Sequence, residues 1–279
     1  MSGGAQAAML PGGRLHLQHG PIDLILGADG PGRAAALARA ARRFETILDE
    51  LVAELPRLRS PDGPAPHGPV ARRMAAAVAP YEVFVTPMAA VAGAVADEIL
   101  AVLRDGAGLQ RAHVSNGGDV ALWLAPGETM RAAIAGPAGG RVALRAADGI
   151  GGVATSGWRG RSHSLGIADS VTALAASAAE ADAAATLIAN AVDLPGHTAI
   201  TRVPASELSP DSDLGGRLVT REVGPLTEAE IAAALASGVR FAETARGGGL
   251  IRAALLALGS AQRITGPLPL ATEPALAPA

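Results

Sequence analysis

The chain has 279 residues, with no cysteine and no lysine, so all 23 positive charges are arginine against 26 acidic residues, a formal charge of −3. Without cysteine there is no disulfide scaffold, no thiolate metal site and no cysteine nucleophile, and a slightly acidic chain without basic runs is a poor match for backbone-driven nucleic-acid binding. Hydrophobic content of 49% with 18% charged residues argues against disorder and for a sizeable core, built mainly from Ala, Leu, Val and Ile.

Residues 1–13 show no basic n-region and no long apolar h-region, so no secretory signal is read there. Loose alternation over residues 14–25, punctuated by Gly20-Pro21 and Asp29-Gly30-Pro31, predicts a hairpin or two short strands. Residues 34–55 carry Leu37, Ala41, Phe44, Leu48, Leu51 and Leu55 at helical spacing, with Pro56 as the stop. Residues 60–69 read as a loop, 70–78 as a short helix and 81–86 as a strand. Residues 88–103 form a small-residue helix with the stripe Val91, Val95, Ile99 and Leu103, and Asp97 and Glu98 are expected to face solvent. The most apolar stretch, 83–96, carries Pro87 and falls short of the about 20 residues a membrane helix needs. A cytoplasmic protein with no membrane contact is the expectation.

Further strands are read at 111–115, 120–124, 130–134 and 142–144, the last two split by a turn at 136–140. Glycines at 149–152 lead into residues 153–157, and 170–174 is another strand. Residues 178–191 form a helix with Ser177 as N-cap. Short strands follow at 199–203 and 218–223. Thr227 opens a helix through Leu235 with Glu230 completing a capping box, and 251–258 reads as helical after a glycine joint. No solenoid period is present, and the absence of clean βαβ alternation points to α+β or α/β. The last thirteen residues, from Pro267, read as a disordered Pro/Ala-rich tail behind a single domain over 1–266.

Four segments concentrate the groups that do chemistry. Ser115-Asn116-Gly117-Gly118-Asp119 places an amide and a carboxylate on a glycine turn, as a hairpin or as a ligand loop. Ala154-Thr155-Ser156-Gly157-Trp158-Arg159-Gly160-Arg161 combines hydroxyls, an indole and guanidiniums that suit an anion, with His163 close behind as a general acid or base, unless it is a solvated loop around a packed Trp. Asp182 and Thr186 share one face of an otherwise apolar helix. Two hard oxygens at that spacing suit Mg²⁺, and a first-turn Asp also suits the helix dipole. The Ala-rich face around Gly93 permits close packing or close approach of a flat ligand. The acidic segment 210–215 reads as an Asx-type turn or a second cation site.

In this order, residues 91–97, 115–119, 154–157, 170–172 and 181–186 resemble the motif series of the ApbE family of flavin transferases, and most closely an uncharacterised branch of it. That series is a small-residue helix ending in Ala-x-Asp, then Asn-x-Gly-Gly-Asp, Ala-Thr-Ser-Gly, Ser-Val-Thr and Ala-Asp-Ala-x-x-Thr. The resemblance implies an α+β, T-fold-related architecture of mixed sheets packed with long helices, with a cleft between two intertwined halves. It implies FAD or FMN and Mg²⁺ as cofactors and transfer of the FMN part of FAD to a hydroxyl of an acceptor protein, with a homo-oligomer allowed. Asp182, Thr186 and the carbonyl of Ala154 then look like the metal ligands, and His163 and Asp182 the catalytic pair. Gly93, Asn116, Gly117, Gly118, Asp119, Thr155, Ser156, Gly157, Trp158 and Arg159 look like the dinucleotide-contacting set. Two departures stand out. Ala92-Gly93-Ala94 occupies the family's Lys-Gly-Tyr, and the family's histidine segment is compressed to 158–169, with His163 and Asp169 as its remnant. Three functions follow: a Mg²⁺-dependent flavin or nucleotide transferase, a non-catalytic flavin- or nucleotide-binding protein, or a different small-molecule reaction run by Arg159, Arg161 and His163.

Overall fold

The computed structural model describes residues 4–106, 108–134, 140–160 and 162–268. The turn expected at 136–140, Arg161 and the tail from 269 onward therefore lie largely or wholly outside the described residues.

The first hairpin forms as its alternation predicts. Strand β2 (Arg14–His19) turns into β3 (Ile22–Asp29), with Leu15, Leu17, Leu24 and Leu26 buried. Strand β1 (Gln6–Leu10), which the sequence did not reveal, pairs with β2. β3 pairs with β4 (Arg111–Asn116), and β4 with β5 (Asp119–Leu124). The sheet continues through β8 (Gly152–Ser156), β9 (Ser170–Ala175), β12 (Ala253–Leu258) and β13 (Ala261–Thr265), giving nine strands in the order β1-β2-β3-β4-β5-β8-β9-β12-β13. Every neighbouring pair is antiparallel. Two further hairpins stand apart from this sheet: β6 (Thr129–Ala133) with β7 (Arg141–Arg145), and β10 (Ile200–Pro204) with β11 (Leu218–Val223).

The longer helices cover one face of the sheet, and seven α-helices are present among the described residues. They are α1 (Arg33–Ala53), the short α2 (Leu55–Leu58), α3 (Pro69–Val78), α4 (Val91–Arg104), α5 (Ala178–Ala191), the short α6 (Ala205–Leu208) and α7 (Glu228–Gly247). α1 packs on β2 and β3, α4 on β4 and β5, α5 on β8 and β9, and α7 on β12 and β13. The two-residue period of the strands divides the core accordingly. Ala154, Val171, Ala173, Ala254 and Leu256 face the helices, while Val153, Leu174 and Leu255 join Leu122, Val142 and Leu144 under the β6–β7 hairpin.

This double coverage accounts for the departure of β12 from the helix that its pattern predicts. Residues 251–258 contain a strand, not a helix, and all six residues of β12 are buried. A strand covered on both faces loses its alternation and cannot be told from a buried helix by pattern alone. The strand expected at 81–86 is also absent. That segment crosses the helical layer, where Tyr81 stacks on Phe241 of α7 at 6.2 Å between ring centroids, and no strand pairs with it. α1 ends at Ala53, and Pro56 sits in the first turn of α2, where its missing N–H is tolerated. α7 runs well beyond Leu235, to Gly247, from the Thr227–Glu230 capping box.

Asp97 and Glu98 do not face solvent. Glu98 is 7% exposed and accepts from Arg43 of α1 at 2.8 Å and Arg73 of α3 at 3.4 Å, joining three helices. Asp97 reaches from α4 to the start of α5, where its two oxygens accept from Ala178 N at 3.0 Å and Ala179 N at 2.9 Å. The first amides of a helix have no intrahelical partner, so a carboxylate from a neighbouring helix caps them as Ser177 does from its own. Among the described residues no helix is long and apolar enough to cross a membrane.

Candidate functional site

Helix α5 supplies the site's polar groups because so little else on it is polar. Its alanines at 181, 183, 184, 185 and 189 are fully buried, which brings the helix close to the sheet and to α4. Asp182, Thr186 and Asn190 are only half-buried. They recur every fourth residue, form one stripe, and line the same cleft. The opposite wall is the 3-10 turn Pro87–Ala90 and the start of α4, with Met88, Ala89 and Ala92. Asp119, His163 and Asp213 close the remaining sides of a space of about 340 Å³. The acidic segment at 210–215 thus forms a wall of the cleft. Asp213 is held there by the Thr86 hydroxyl, and Arg217 lies 3.4 Å over the Phe84 ring.

The hairpin β4–β5 delivers Asp119. Asn116 pairs directly with Asp119, so Gly117 and Gly118 form a two-residue turn with φ of 63° and 117°, a conformation that favours glycine. Asn116 is 8% exposed and its amide donates to the Ala92 carbonyl at 3.1 Å, tying the turn to α4. Asp119 Oδ1 accepts from Thr155 N at 3.1 Å, tying it to β8. Thr155 and Thr172 share a hydroxyl hydrogen bond of 2.8 Å.

Asp182 Oδ2 accepts from Gly93 N at 3.0 Å. Burial pushes its carboxyl well above the usual range, and the charges of Asp119 and Asp97 push it further, while the Gly93 and Ala92 amides oppose the shift. Asp97 is pushed up to about 6, chiefly by burial and against the two amides it caps. Among the described residues lining the cleft there is no arginine. The cleft therefore holds two interacting carboxylates that a cation would stabilise. The donor set is carboxylate and hydroxyl oxygen, which fits Mg²⁺, a metal that takes one or two carboxylates and keeps waters. Among the described residues no three His, Asp or Glu side chains are grouped to hold a metal. A more carboxylate-rich cage is therefore not present among them.

The expected site residues thus separate into three groups. His163, Asp182, Thr186 and Asp119 meet in one cleft. Gly93, Asn116 and Thr155 reach it through hydrogen bonds to Asp182, Ala92 and Asp119. The third group is not among the residues lining it. Ala154 is fully buried beneath α5, and Gly157 packs against the Asp169 backbone. Ser156 is half-buried at the end of β8, while Gly118 lines a separate pocket beside β6 with His113 and Met130. Trp158 Nε1 and Arg159 Nε donate to Asp169 at 3.2 and 2.8 Å, and Arg159 lies 4.5 Å over the Trp158 ring. Asp169 is therefore engaged by this cluster and by Gly259 N rather than by His163. Asn190 and Thr86 were missed. The four-residue spacing from Asp182 and Thr186 was the signal for Asn190, whereas nothing local marks Thr86.

The family model described as AbpE bacteria matches residues 7–265. The protein named UPF0280 protein MK0206, from Methanopyrus kandleri, is 35% identical over 182 residues, which cover 60% of this chain and 69% of that protein. A crystal structure of the Pseudomonas stutzeri flavinyl transferase ApbE, apo form, covers 95% of this chain and 94% of that one, with 15% identity and a TM-score of 0.48.

Proposed function

This chain belongs to the AbpE bacteria family, and on that premise we propose that its cleft binds a flavin nucleotide together with Mg²⁺ and transfers the FMN part of FAD to a hydroxyl. The observation that carries the reading is the meeting of Asp119, Asp182, Thr186 and His163 from three separate parts of the chain. Asp182 and Thr186 would hold the metal, which supplies charge neutralisation on the phosphates. In a cleft lined by carboxylates, a dinucleotide needs that neutralisation, and Ala92 contributes no charge of its own. The acceptor oxygen bonds to the phosphorus of the FMN half, the P–O bond to the AMP half breaks, and AMP leaves. His163, which lines the cleft, would take the hydroxyl proton. Asn116 and Thr155 act by holding Asp119 and the start of α4 in place.

A second reading is a flavin- or nucleotide-binding protein without transfer. It is favoured by the engagement of Asp169 with Trp158 and Arg159, which leaves His163 without that carboxylate. Pure protein incubated with FAD, Mg²⁺ and a hydroxyl-bearing acceptor, followed for AMP, separates the two. AMP release supports transfer, whereas FAD binding without AMP supports the binder. Absence of binding of both FAD and an adenine nucleotide in Mg²⁺ overturns both.

A further inference from the structure

The third member of the α5 stripe, Asn190, is oriented by bonds that decide which end of its amide faces the cleft. Leu165 N donates to Asn190 Oδ1 at 2.9 Å. A backbone N–H can only donate, so the atom it meets is the oxygen and not the nitrogen. Gly166 N donates to Ser164 Oγ at 3.2 Å, which leaves the Ser164 hydroxyl to donate to the same Asn190 oxygen at 3.2 Å. Both bonds go to the oxygen, and the Nδ2 group makes no hydrogen bond within the described residues. The frame around it is rigid: the Leu165 carbonyl accepts from Arg202, and the Ser164 carbonyl accepts from Thr220 N at 2.8 Å.

We propose that Asn190 is a specificity-determining residue of the cleft, presenting its Nδ2 hydrogens to a carbonyl or ring-nitrogen acceptor on an uncharged ring of the ligand. The proposal rests on the flavin-nucleotide reading and names a contact within it. Eight residues of helix separate Asn190 from Asp182, about 12 Å at the α-helical rise. That separation puts the donor well away from the metal-binding end, at the distance of a ring rather than of the phosphates. Its neighbours agree. Leu165 and Leu187 flank it, and Leu214 and Met88 also line the cleft, so the walls suit a flat apolar body with polar edges. A donor already oriented by two bonds to its own amide oxygen binds an acceptor without the entropy cost of ordering a free amide.

The chain contains two asparagines, Asn116 and Asn190. Protein labelled with ¹⁵N at asparagine therefore shows two side-chain amide pairs, one bonded to the Ala92 carbonyl and one in the cleft. Titration with FAD in Mg²⁺ is expected to move the Asn190 pair saturably. N190D keeps the oxygen that Leu165 and Ser164 use and removes the donor, and is expected to weaken FAD binding by about tenfold, the worth of one hydrogen bond. S164A removes one of the two bonds that orient the amide but keeps the donor, and is expected to weaken FAD binding by less than N190D does. If FAD binds while the Asn190 pair stays still, or N190D binds FAD as wild type does, the contact is overturned and the flavin reading stands. If the wild-type protein binds no FAD, both fall.

Discussion

The amide of Gly93 donates to the carboxylate of Asp182 at 3.0 Å, across the interface between α4 and α5. The same glycine packs so closely that a Cβ placed on it would lie 2.2 Å from the Ala178 carbonyl. One residue thus sets the spacing of two helices and satisfies the acid on the second. The small-residue face of α4 is accounted for by packing, and the packing places a cleft carboxylate.

Gly93→Ala should therefore push α4 from α5. Overpacking of this kind costs about 1–3 kcal/mol, and it should weaken Mg²⁺ binding as well. Thermal unfolding checks the first effect and calorimetric titration the second. Unchanged melting would show that the interface yields more easily than its geometry implies.

Mg²⁺ should stabilise the wild-type protein and not Asp182→Asn. At about a hundredfold excess over Kd, binding to the native state alone adds about 2.7 kcal/mol. The folded-state pKa of Asp182 is raised above its unfolded value, so ionising it costs the native state stability as pH rises through that value. Without metal, Asp182→Asn should then be at least as stable as wild type at neutral pH. A differential scan with and without Mg²⁺ measures both, and equal metal responses in the two proteins would count against the metal assignment.

Asp97 gives a pH-dependent difference of known sign. Its carboxyl is raised from 3.8 to about 6, so the native state holds the proton more tightly than the unfolded chain. Wild type should lose stability relative to Asp97→Asn as pH rises between these values, in denaturant titrations run at several pH values. Asp97→Ala has a different effect, leaving the Ala178 and Ala179 amides without their acceptor. Losing a helix cap typically costs about 0.5–2 kcal/mol.

Glu98 joins α4 to both Arg43 and Arg73 while 7% exposed. Glu98→Ala removes the carboxylate from two arginines, and breaking a buried pair from one side costs about 3–5 kcal/mol, with less here because Arg73 is partly exposed. Urea unfolding should show a loss of at least about 2 kcal/mol. Arg43 also donates to Glu50 at 2.8 Å, and a variant within error of wild type would mean that this carboxylate alone satisfies it.

Arg159 donates to Asp169 and covers the Trp158 ring. Arg159→Ala should leave FAD affinity unchanged, while His163→Ala should lower any AMP release. The reverse pattern would favour a different reaction centred on the Arg159 loop.

Much of this molecule was legible in advance. The α5 boundaries, the Ser177 cap, the β2–β3 and β4–β5 hairpins and the placement of Asp182 and Thr186 on one face of α5 all follow from local spacing. These features depend on residues within one or two turns of each other, and such interactions act wherever the segment ends up. β12 carries no alternation to mark it as a strand, because both of its faces are buried. Asp97 and Glu98 were read as solvated because their partners lie on other helices, Glu98's on α1 and α3 and Asp97's at the start of α5.

The sequence by itself determined the α+β class, the family resemblance and the chemistry available: arginine as the only basic residue besides histidine, no thiol, and one polar stripe on an alanine helix. Only the tertiary structure decided which of these groups share a cleft. It drew Asp119, His163 and Asp213 to Asp182, and left Trp158 and Arg159 bonded to Asp169. The reason is that a site is made of contacts between residues far apart in the chain, set by which faces pack together. Spacing along one segment carries no information about that choice until the sheet order and the α4–α5 interface are in place.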